Sequence, residues 1–280
     1  MITIVADTTS CIPVQEARAL GIQYLPQIII IGDETYRDDT EIDSKTFMEK
    51  LKTSPTLPKT AAPPPAFYIP IFNEYARPGN TIIVVCPSTD LSGTFRSAEV
   101  AALDFPEADI RVIDTRAVAS GLGSIVKKAN EWVQQGLSAD QIVDNVKEMS
   151  SRWRVYFVVA TLEYLYKGGR IGAAKALFGS ILQVKPILTV TNGKIEAVES
   201  QRTQRRAIKR FQELVYSDCP HDLESHLTMM HAAAENDAIS LASEFSKTMQ
   251  LSEVPITEVP PAIVVHAGPG VLAASYFIKK

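Results

Sequence analysis

The segment TIIVVCPSTDLSGTFRSAEVAA, residues 81–102, decides how the first half of the chain folds. Its first six residues are mostly β-branched and apolar, which predicts a buried strand. Serines, threonines and a glycine follow, and the small residues after them predict the start of a helix. A strand, a short polar loop and a helix are typical of a parallel sheet covered by helices.

The same alternation surrounds this segment. Residues 2–7 (ITIVAD) and 110–114 (IRVID) read as strands, and residues 13–21 (PVQEARALG) read as a helix. Residues 22–32 (IQYLPQIIIIG) read as one further strand, and a helix is expected from about Pro65. The first half of the chain is therefore expected to form an α/β domain.

The pattern changes near Arg154. Residues 187–200 (ILTVTNGKIEAVES) predict a β-hairpin, because Asn192 and Gly193 accept the positive φ angles of a type I′ turn. Helices and strands follow, and residues 262–267 (AIVVHA) read as a strand. The sequence predicts two domains: residues 1–153, with a mainly parallel sheet flanked by helices, and residues 154–280, an α+β domain of two layers.

Composition excludes several classes of function. The 280 residues are 46% hydrophobic and 21% charged, with a net charge of −4, which argues against general affinity for nucleic acid. No apolar run is long enough to cross a membrane, and the N-terminus lacks a signal-peptide pattern, so we expect a cytoplasmic protein. The three cysteines lie far apart and predict neither a disulfide framework nor a metal site.

Polar residues follow three of the predicted strands, at residues 7–10, 88–94 and 114–115. Each group alone is most simply a set of helix N-caps, but three at one sheet edge favour a ligand site. Ser92 and Gly93 stand out, because a hydroxyl and free amides at a helix start suit an anion. Phosphate and carboxylate both remain open, although no phosphate-binding loop motif is present.

Two further features admit both a structural and a functional interpretation. His266 ends the predicted strand AIVVHA, where a buried, hydrogen-bonded side chain is at least as common as a ligand. The residues between Lys175 and Lys185 are uncharged and predict an apolar helix, either packed in the core or lining a ligand. No nucleophile elbow or metal-protease motif occurs, so an enzyme is an alternative only as a phosphotransferase or hydrolase that uses Ser92 and His266.

Five short motifs, in this order along the chain, resemble one family. They are the polar run at residues 7–10, LSGTFRSA at 91–98, LEYL at 162–165 leading to GGRIG at 168–172, KPIL at 185–188 and HAGPG at 266–270. Together they resemble the DegV family. The resemblance implies a non-catalytic carrier without a cofactor. It would hold one long-chain fatty acid of the palmitate, stearate or oleate type in a tunnel between its domains and present it to a fatty acid kinase for phosphorylation and lipid synthesis.

The resemblance also implies site residues. Thr60, Ser92 and His266 match positions that hold the carboxylate at the domain junction, and the helix start at Gly93 favours its charge. Hydroxyls, amides and a protonated imidazole are suitable donors to a carboxylate. One departure is that Ala61 and Ala62 stand where relatives usually have polar residues after the threonine, so we expect fewer hydrogen bonds there and an altered choice of acyl chain.

A basic segment follows in the second domain. Arg202, Arg206 and Arg210 share one side of a predicted helix, and the resemblance implies that Arg170 and Arg202 face the kinase or the transferred phosphate. A solvated charged face, a docking surface for an acidic partner and, third, a nucleic-acid site remain open for this helix. For partners we expect the fatty acid and the catalytic subunit of the kinase, no nucleic acid, no transmembrane segment and at most a transient membrane contact.

Overall fold

The computed structural model describes residues 1–178 and 184–280. Within these residues the chain divides into two compact units. The first unit consists of Met1–Ser151 with Pro260–Ala262, and the second consists of Arg152–Val259 with Ile263–Lys280.

The first unit is built on a parallel sheet. In the described residues this sheet has four strands, β1 (Ile2–Asp7), β2 (Gln23–Leu25), β6 (Thr81–Cys86) and β7 (Asp109–Asp114), in the order β2-β1-β6-β7. Every neighbouring pair is parallel. The carboxyl ends of β1, β6 and β7 therefore meet at one edge, and the predicted parallel sheet is confirmed.

A small antiparallel sheet stands beside the parallel one in the first unit. In the described residues it contains β3 (Ile28–Ile31), β4 (Glu34–Arg37) and β5 (Lys59–Ala61), in the order β4-β3-β5. The single strand expected over residues 22–32 is thus wrong, because β2 and β3 belong to different sheets. Pro26 lacks the N–H that a continuous strand would need, and Gln27 donates its backbone N–H to side chains instead.

Helices cover the parallel sheet. Those of the first unit are α1 (Val14–Ala19), α2 (Ser44–Thr53), α3 (Pro65–Tyr75), α4 (Thr94–Ala102), α5 (Ala119–Gln134) and α6 (Ala139–Arg152). Tyr68 and Phe72 of α3 pack with Val84 in one apolar cluster, which explains why this face of the sheet is covered. The expected capping box opens α6, since Ser138 N donates to Gln141 Oε1 at 2.9 Å and Gln141 N donates to Ser138 Oγ at 3.3 Å.

The second unit contains a mixed sheet. In the described part of the chain its strands are β8 (Trp153–Val158), β9 (Lys185–Thr191), β10 (Lys194–Gln201), β11 (Thr228–His231), β12 (Ile256–Glu258) and β13 (Leu272–Phe277). They are ordered β10-β9-β8-β13-β11-β12, and only β11 and β12 run parallel among the described pairs. The predicted hairpin is confirmed as β9–β10, with Asn192 at φ 51° and Gly193 at φ 81°. A bulge interrupts β10 between Ala197 and Glu199.

Helices of the second unit are α7 (Glu163–Lys167), α8 (Gln204–Asp218), α9 (Glu235–Met249) and α10 (Pro261–Ala267), the last of which begins in the first unit. Phe211 of α8 and Phe245 of α9 pack with Met229 and Tyr276 of the sheet. This packing forms a layer of helices on a mixed sheet. The expected α/β fold with a second α+β layered part is confirmed.

Residues 262–267 (AIVVHA) were expected to form a strand, and this prediction is wrong, because they belong to α10. A short apolar run does not distinguish a strand from a buried helix. Pro261 starts the helix, where its fixed φ angle suits the first turn, and Gly268 ends it at φ 77° while donating its N–H to Val264 O at 2.8 Å.

The predicted apolar helix between Lys175 and Lys185 lies in part outside the described residues, which omit 179–183. The residues before this gap, Gly172–Leu177, form a 3-10 helix.

Candidate functional site

The carboxyl ends of β6 and β7 carry two of the three predicted polar groups. Thr115 donates its hydroxyl to Cys86 O at 2.8 Å, and Thr89 donates to Asp114 Oδ2 at 2.9 Å. These bonds tie the ends of the two strands to each other. The polar group at residues 114–115 therefore has the structural role of closing this loop.

The start of α4 presents an anion-binding geometry. Gly93 is its N-cap and offers no side chain to satisfy the first amides. Ser92, half-buried, accepts a hydrogen bond from Thr94 N at 3.3 Å. Because the amino end of a helix carries a partial positive charge, the arrangement favours a negatively charged group beside Ser92.

The residues that follow Thr60 lie against the start of α4. Thr60 itself lies in β5, paired with Ile29 of β3. The residues after it approach α4 closely, since a Cβ on Gly93 would lie 3.5 Å from Ala62 Cβ and Ser97 donates its hydroxyl to Pro63 O. The small side chain of Ala62 allows this approach. The loop after Thr60 and the start of α4 are thus neighbours within the first unit.

A buried polar cluster lies directly behind Ser92. Asp7, at the end of β1, is 1% exposed, and its Oδ2 accepts from Thr94 Oγ1 at 2.7 Å and from Gln27 Nε2 at 2.8 Å. Its Oδ1 accepts from the Thr9 backbone N–H at 2.9 Å and from the Thr9 hydroxyl. Burial raises the pKa of Asp7, against the opposing effect of these four donors.

Asp38 is a second buried carboxyl group in this cluster. Its Oδ1 accepts from Thr8 Oγ1 at 2.7 Å and from Gln27 N at 2.8 Å, whereas its Oδ2 has no hydrogen-bond partner among the described residues. Burial, with a further contribution from the charge of Asp7, raises the pKa of Asp38 to about 7.

Sequence reasoning found Asp7 and Thr94 only as members of polar runs, and it missed Gln27 and Asp38. Gln27 bridges the two carboxyl groups, with its side-chain amide on Asp7 and its backbone N–H on Asp38. The available signal was a polar residue directly after a proline in an otherwise apolar stretch.

His266 lies in the second unit, on the last turn of α10. The chain at Gly168 passes so close that a Cβ there would overlap His266 Nδ1, and a Cβ on Gly268 would come within 2.5 Å of the Tyr164 ring. Burial, and then the charge of Arg170, lower the pKa of His266 to about 4. Desolvation and the nearby cation therefore favour the neutral ring at neutral pH.

Arg170 belongs to the surroundings of His266. It is half-buried, its guanidinium donates to Gly168 O at 2.8 Å, and its backbone N–H donates to Leu165 O at 3.0 Å. Desolvation lowers the pKa of Arg170, although an arginine stays charged in practice. The structure thus groups Arg170 with His266 in the second unit.

The three arginines predicted to share one side of a helix, Arg202, Arg206 and Arg210, differ in their ion pairs. Arg210 forms a bidentate ion pair with Glu199 and a second pair with Glu213, with shortest distances of 2.8 and 3.0 Å. Arg202 and Arg206 are exposed, and no acidic side chain in the described residues forms an ion pair with either. The positive charges of Arg202 and Arg206 therefore lie just before α8 and in its first turn.

The first turn of α8 is electrostatically unfavourable for the helix itself. Thr203 caps it by accepting from Arg206 N at 3.3 Å, and no acidic residue occupies the turn. Cations at the amino end oppose the helix dipole. The positive charges therefore do not stabilise α8 itself.

The alternative of an enzyme requires an activated nucleophile. Within the first unit, the partners of the Ser92 hydroxyl are Thr94 Oγ1 at 2.9 Å and Thr94 N, neither of which is a base. In the described residues no group of three or more His, Cys, Asp or Glu side chains is arranged to hold a metal ion. Nor does any helix in residues 1–178 or 184–280 reach the length and apolar character needed to cross a membrane.

These features define an α/β protein whose candidate site combines hydroxyl groups with the start of a helix. The chain belongs to the DegV family, because the model of that family of uncharacterised proteins matches residues 1–279. A DegV domain-containing protein of Streptomyces coelicolor is 35% identical over 97% of this chain and 96% of its own length.

Two solved structures share the fold over 99% of both chains. One is DegV of Bacillus subtilis, described as a fatty acid binding protein, with a TM-score of 0.88 and 31% identity. The other is a DegV family protein of Thermus thermophilus, described by its fatty acid binding, with a TM-score of 0.88 and 29% identity. The resemblance seen in the sequence motifs is confirmed.

Proposed function

We propose that this protein is a non-catalytic carrier that binds one long-chain fatty acid and presents its carboxyl group to a fatty acid kinase. The observation that carries the proposal is the open start of α4, where Ser92 and Gly93 stand next to the chain leading from Thr60. Two relatives at 29 and 31% identity are described as fatty acid binding, which supports the same ligand class here.

The head group is assigned to hydroxyls and amides. Thr60 and Ser92 bind the carboxyl oxygens, and the amino end of α4 at Gly93 favours their charge. His266 contributes a neutral imidazole, consistent with its lowered pKa. The position of the carboxyl group at the junction of the two domains is part of this proposal, as is a tunnel for the tail.

The tail requires only apolar contacts. Each buried methylene contributes about 0.8 kcal/mol, so a sixteen-carbon chain gains roughly 10 kcal/mol. Head-group hydrogen bonds contribute about 1 kcal/mol each. We therefore assign affinity to the tail and orientation to Thr60 and Ser92.

Presentation to the kinase is assigned to the first turn of α8. Arg202 and Arg206 are exposed and lack an ion-pair partner among the described residues, which suits an acidic surface or a transferred phosphate. Arg170 is proposed to act near the carboxyl group, since it lies beside His266.

Lipid extraction followed by mass spectrometry tests the ligand. We expect the purified protein to release a C16 or C18 fatty acid, and the delipidated protein to take up added palmitate or oleate in about equimolar amount. The variants Thr60→Val and Ser92→Ala should bind with a less ordered head group. Absence of acyl chains, together with no uptake of either added acid, would refute the carrier proposal.

A phosphorylation assay tests the partner surface. With a fatty acid kinase and ATP, Arg202→Ala should bind oleate normally but lower the rate of acyl phosphate formation about tenfold or more. Lys247→Ala, which removes an exposed cation from the last turn of α9, is the matched control and should keep the wild-type rate. Loss of oleate binding in Arg202→Ala would contradict the separation of binding site from docking surface.

A further inference from the structure

The hydroxyl of Ser92 belongs to a chain of hydrogen bonds that ends on a buried carboxyl group. Thr94 Oγ1 lies 2.9 Å from Ser92 Oγ, 2.7 Å from Asp7 Oδ2 and 3.0 Å from Gln27 Nε2. Gln27 Nε2 can only donate, so Thr94 has a single proton to share between Asp7 and Ser92.

The charge on Asp7 determines which group donates and which accepts in each of these hydrogen bonds. An ionised Asp7 only accepts, so the Thr94 proton goes to Asp7, and the hydrogen bond between Ser92 and Thr94 is kept only if Ser92 donates it. Ser92 then offers only lone pairs to a ligand. When Asp7 carries a proton on Oδ2, it donates to Thr94, Thr94 donates to Ser92, and the Ser92 proton is free for the ligand.

In the free protein the hydrogen bonds that Asp7 accepts favour its ionised form, against burial, which raises its pKa. Each of its two oxygens accepts two donors, which is the full set for a carboxylate, and a proton on Oδ2 would displace one of them. A fatty acid is also ionised in neutral solution. Ser92 and a carboxylate would then face each other without a proton between them.

We infer that the protein takes up one proton when it binds a fatty acid at Ser92, and that Asp7 and Thr94 act as positioning residues that share this proton with the ligand carboxyl group. The inference rests on the proposed function. The proton sits either on the ligand, which donates to Ser92, or on Asp7, which turns Ser92 into a donor. In both forms two carboxylates and one proton give a net charge of −1.

Other titratable groups face Asp7 from the elements around it. They are Cys11, Tyr24 of β2, Asp38, Tyr68 of α3 and Cys86 of β6. Burial raises the pKa of the two thiols and the two phenols, which stay neutral up to alkaline pH. No cation contributes to the pKa of Asp7 within the described residues. Of these five groups only Asp38 titrates near neutrality, so the experiment needs a control variant for Asp38.

Calorimetry with oleate, in two buffers of different ionisation enthalpy at about pH 8.5, measures the proton count. The wild type should take up about one proton per oleate, and its affinity should fall about tenfold per unit rise in pH. Asp7→Asn should bind oleate with about zero protons taken up. The new side-chain NH2 group stands in the place of Oδ2 and donates permanently to Thr94, provided that the Gln27 side-chain amide rotates so that its oxygen faces this NH2 group.

Thr94 supplies a second, independent pair of variants. Thr94→Val interrupts the chain and should reduce the uptake to about zero, whereas Thr94→Ser keeps the hydroxyl and should restore about one proton. Asp38→Asn replaces the neighbouring carboxyl group outside the chain and should also retain about one proton. If Asp7→Asn does not fold, the two Thr94 variants still decide the matter.

The outcomes separate this inference from the proposed function. Oleate binding by the wild type without proton uptake would overturn the inference and leave the carrier proposal standing. Equal uptake by Thr94→Val and the wild type would overturn it as well. No oleate binding by the wild type under any condition would refute the carrier proposal itself.

Discussion

Asp38 combines a buried oxygen without a partner in the described residues with a pKa raised from 3.8 to about 7. The folded protein therefore holds this proton more tightly than the unfolded chain does. Between about pH 4 and pH 7 the free energy of unfolding should fall as pH rises, by roughly 3 kcal/mol from this group. Urea denaturation at a series of pH values measures it.

Asp38→Asn should remove this part of the pH dependence, because an amide does not titrate. The control is Asp104→Asn, which changes an exposed carboxyl group in the same unit and should leave the slope unchanged. A wild-type slope that persists in Asp38→Asn would show that another group is responsible.

His266 should change the free energy of unfolding with pH in the opposite direction to Asp38. Its pKa is lowered from 6.5 to about 4, so the unfolded chain binds the proton more tightly. The stability from keeping the ring neutral is present above about pH 6.5 and should be lost by roughly 2 kcal/mol as pH falls toward about 4. His266→Gln should flatten this acid limb of the stability curve, as followed by thermal unfolding.

His221→Gln is the matched control for His266, since His221 is exposed in the same unit. It should retain the acid limb of the wild type. If both histidine variants change the curve equally, burial at His266 is not the cause.

Residues of the candidate site were predictable from the sequence where they follow the ends of strands. Ser92 and Gly93 follow an obvious strand, so their position at a helix start could be expected. Gln27 and Asp38 reach the same cluster from a second sheet, and no spacing in the sequence shows that contact. The neutral state of His266 depends on burial, which a residue type alone does not reveal.

At the scale of elements, we expect the first turn of α8 to be less stable than it would be with acidic residues, because its basic residues serve partner binding. Arg206 is the third residue of α8, and Thr203 is its N-cap. Arg206→Glu would complete a capping box and match the helix dipole, raising the free energy of unfolding by about 0.5–1 kcal/mol. The same change should lower acyl phosphate formation with the kinase. Thermal unfolding and the phosphorylation assay measure the two effects.

A parallel change on another helix provides the control. Lys247→Glu reverses an exposed charge in the last turn of α9, where the dipole favours a cation, so it should lower stability slightly and leave phosphorylation unchanged. A variant Arg206→Glu that is both more stable and fully active would contradict the docking role.

Elements with strong local signals were predictable, including the hairpin turn at Asn192 and Gly193 and the capping box at Ser138. Elements made of short apolar runs were not. Residues 22–32 divide between two sheets because Pro26 interrupts the ladder, and residues 262–267 form a helix because Pro261 and Gly268 delimit it. In both cases a proline excluded the continuous strand that the apolar pattern predicted.

For the whole molecule, tail length should control affinity. If the tail is enclosed, each added methylene should tighten binding about fourfold, which corresponds to about 0.8 kcal/mol, until the enclosed space is full. A titration series from laurate to stearate measures this slope. Palmitate methyl ester is the control, because it keeps the tail and loses the ionisable head group. A flat series would contradict an enclosed tail.

The sequence predicts two domains because its alternating strands and helices give way, beyond Arg154, to a segment that contains a hairpin. It does not predict the sheet order or the small antiparallel sheet, since they depend on which strands meet after folding. Family motifs supplied the ligand class, which periodicity alone left open between phosphate and carboxylate.

The bulge in β10 has a consequence for the β10 edge of the mixed sheet. Among the described strands β10 lies at one end of the sheet, and a regular strand in that position would offer its backbone to a strand of another molecule. The irregularity between Ala197 and Glu199, with charged residues at Lys194, Glu196 and Glu199, makes that edge a poor template for such pairing. Growth of an intermolecular β-sheet should therefore not start from that edge.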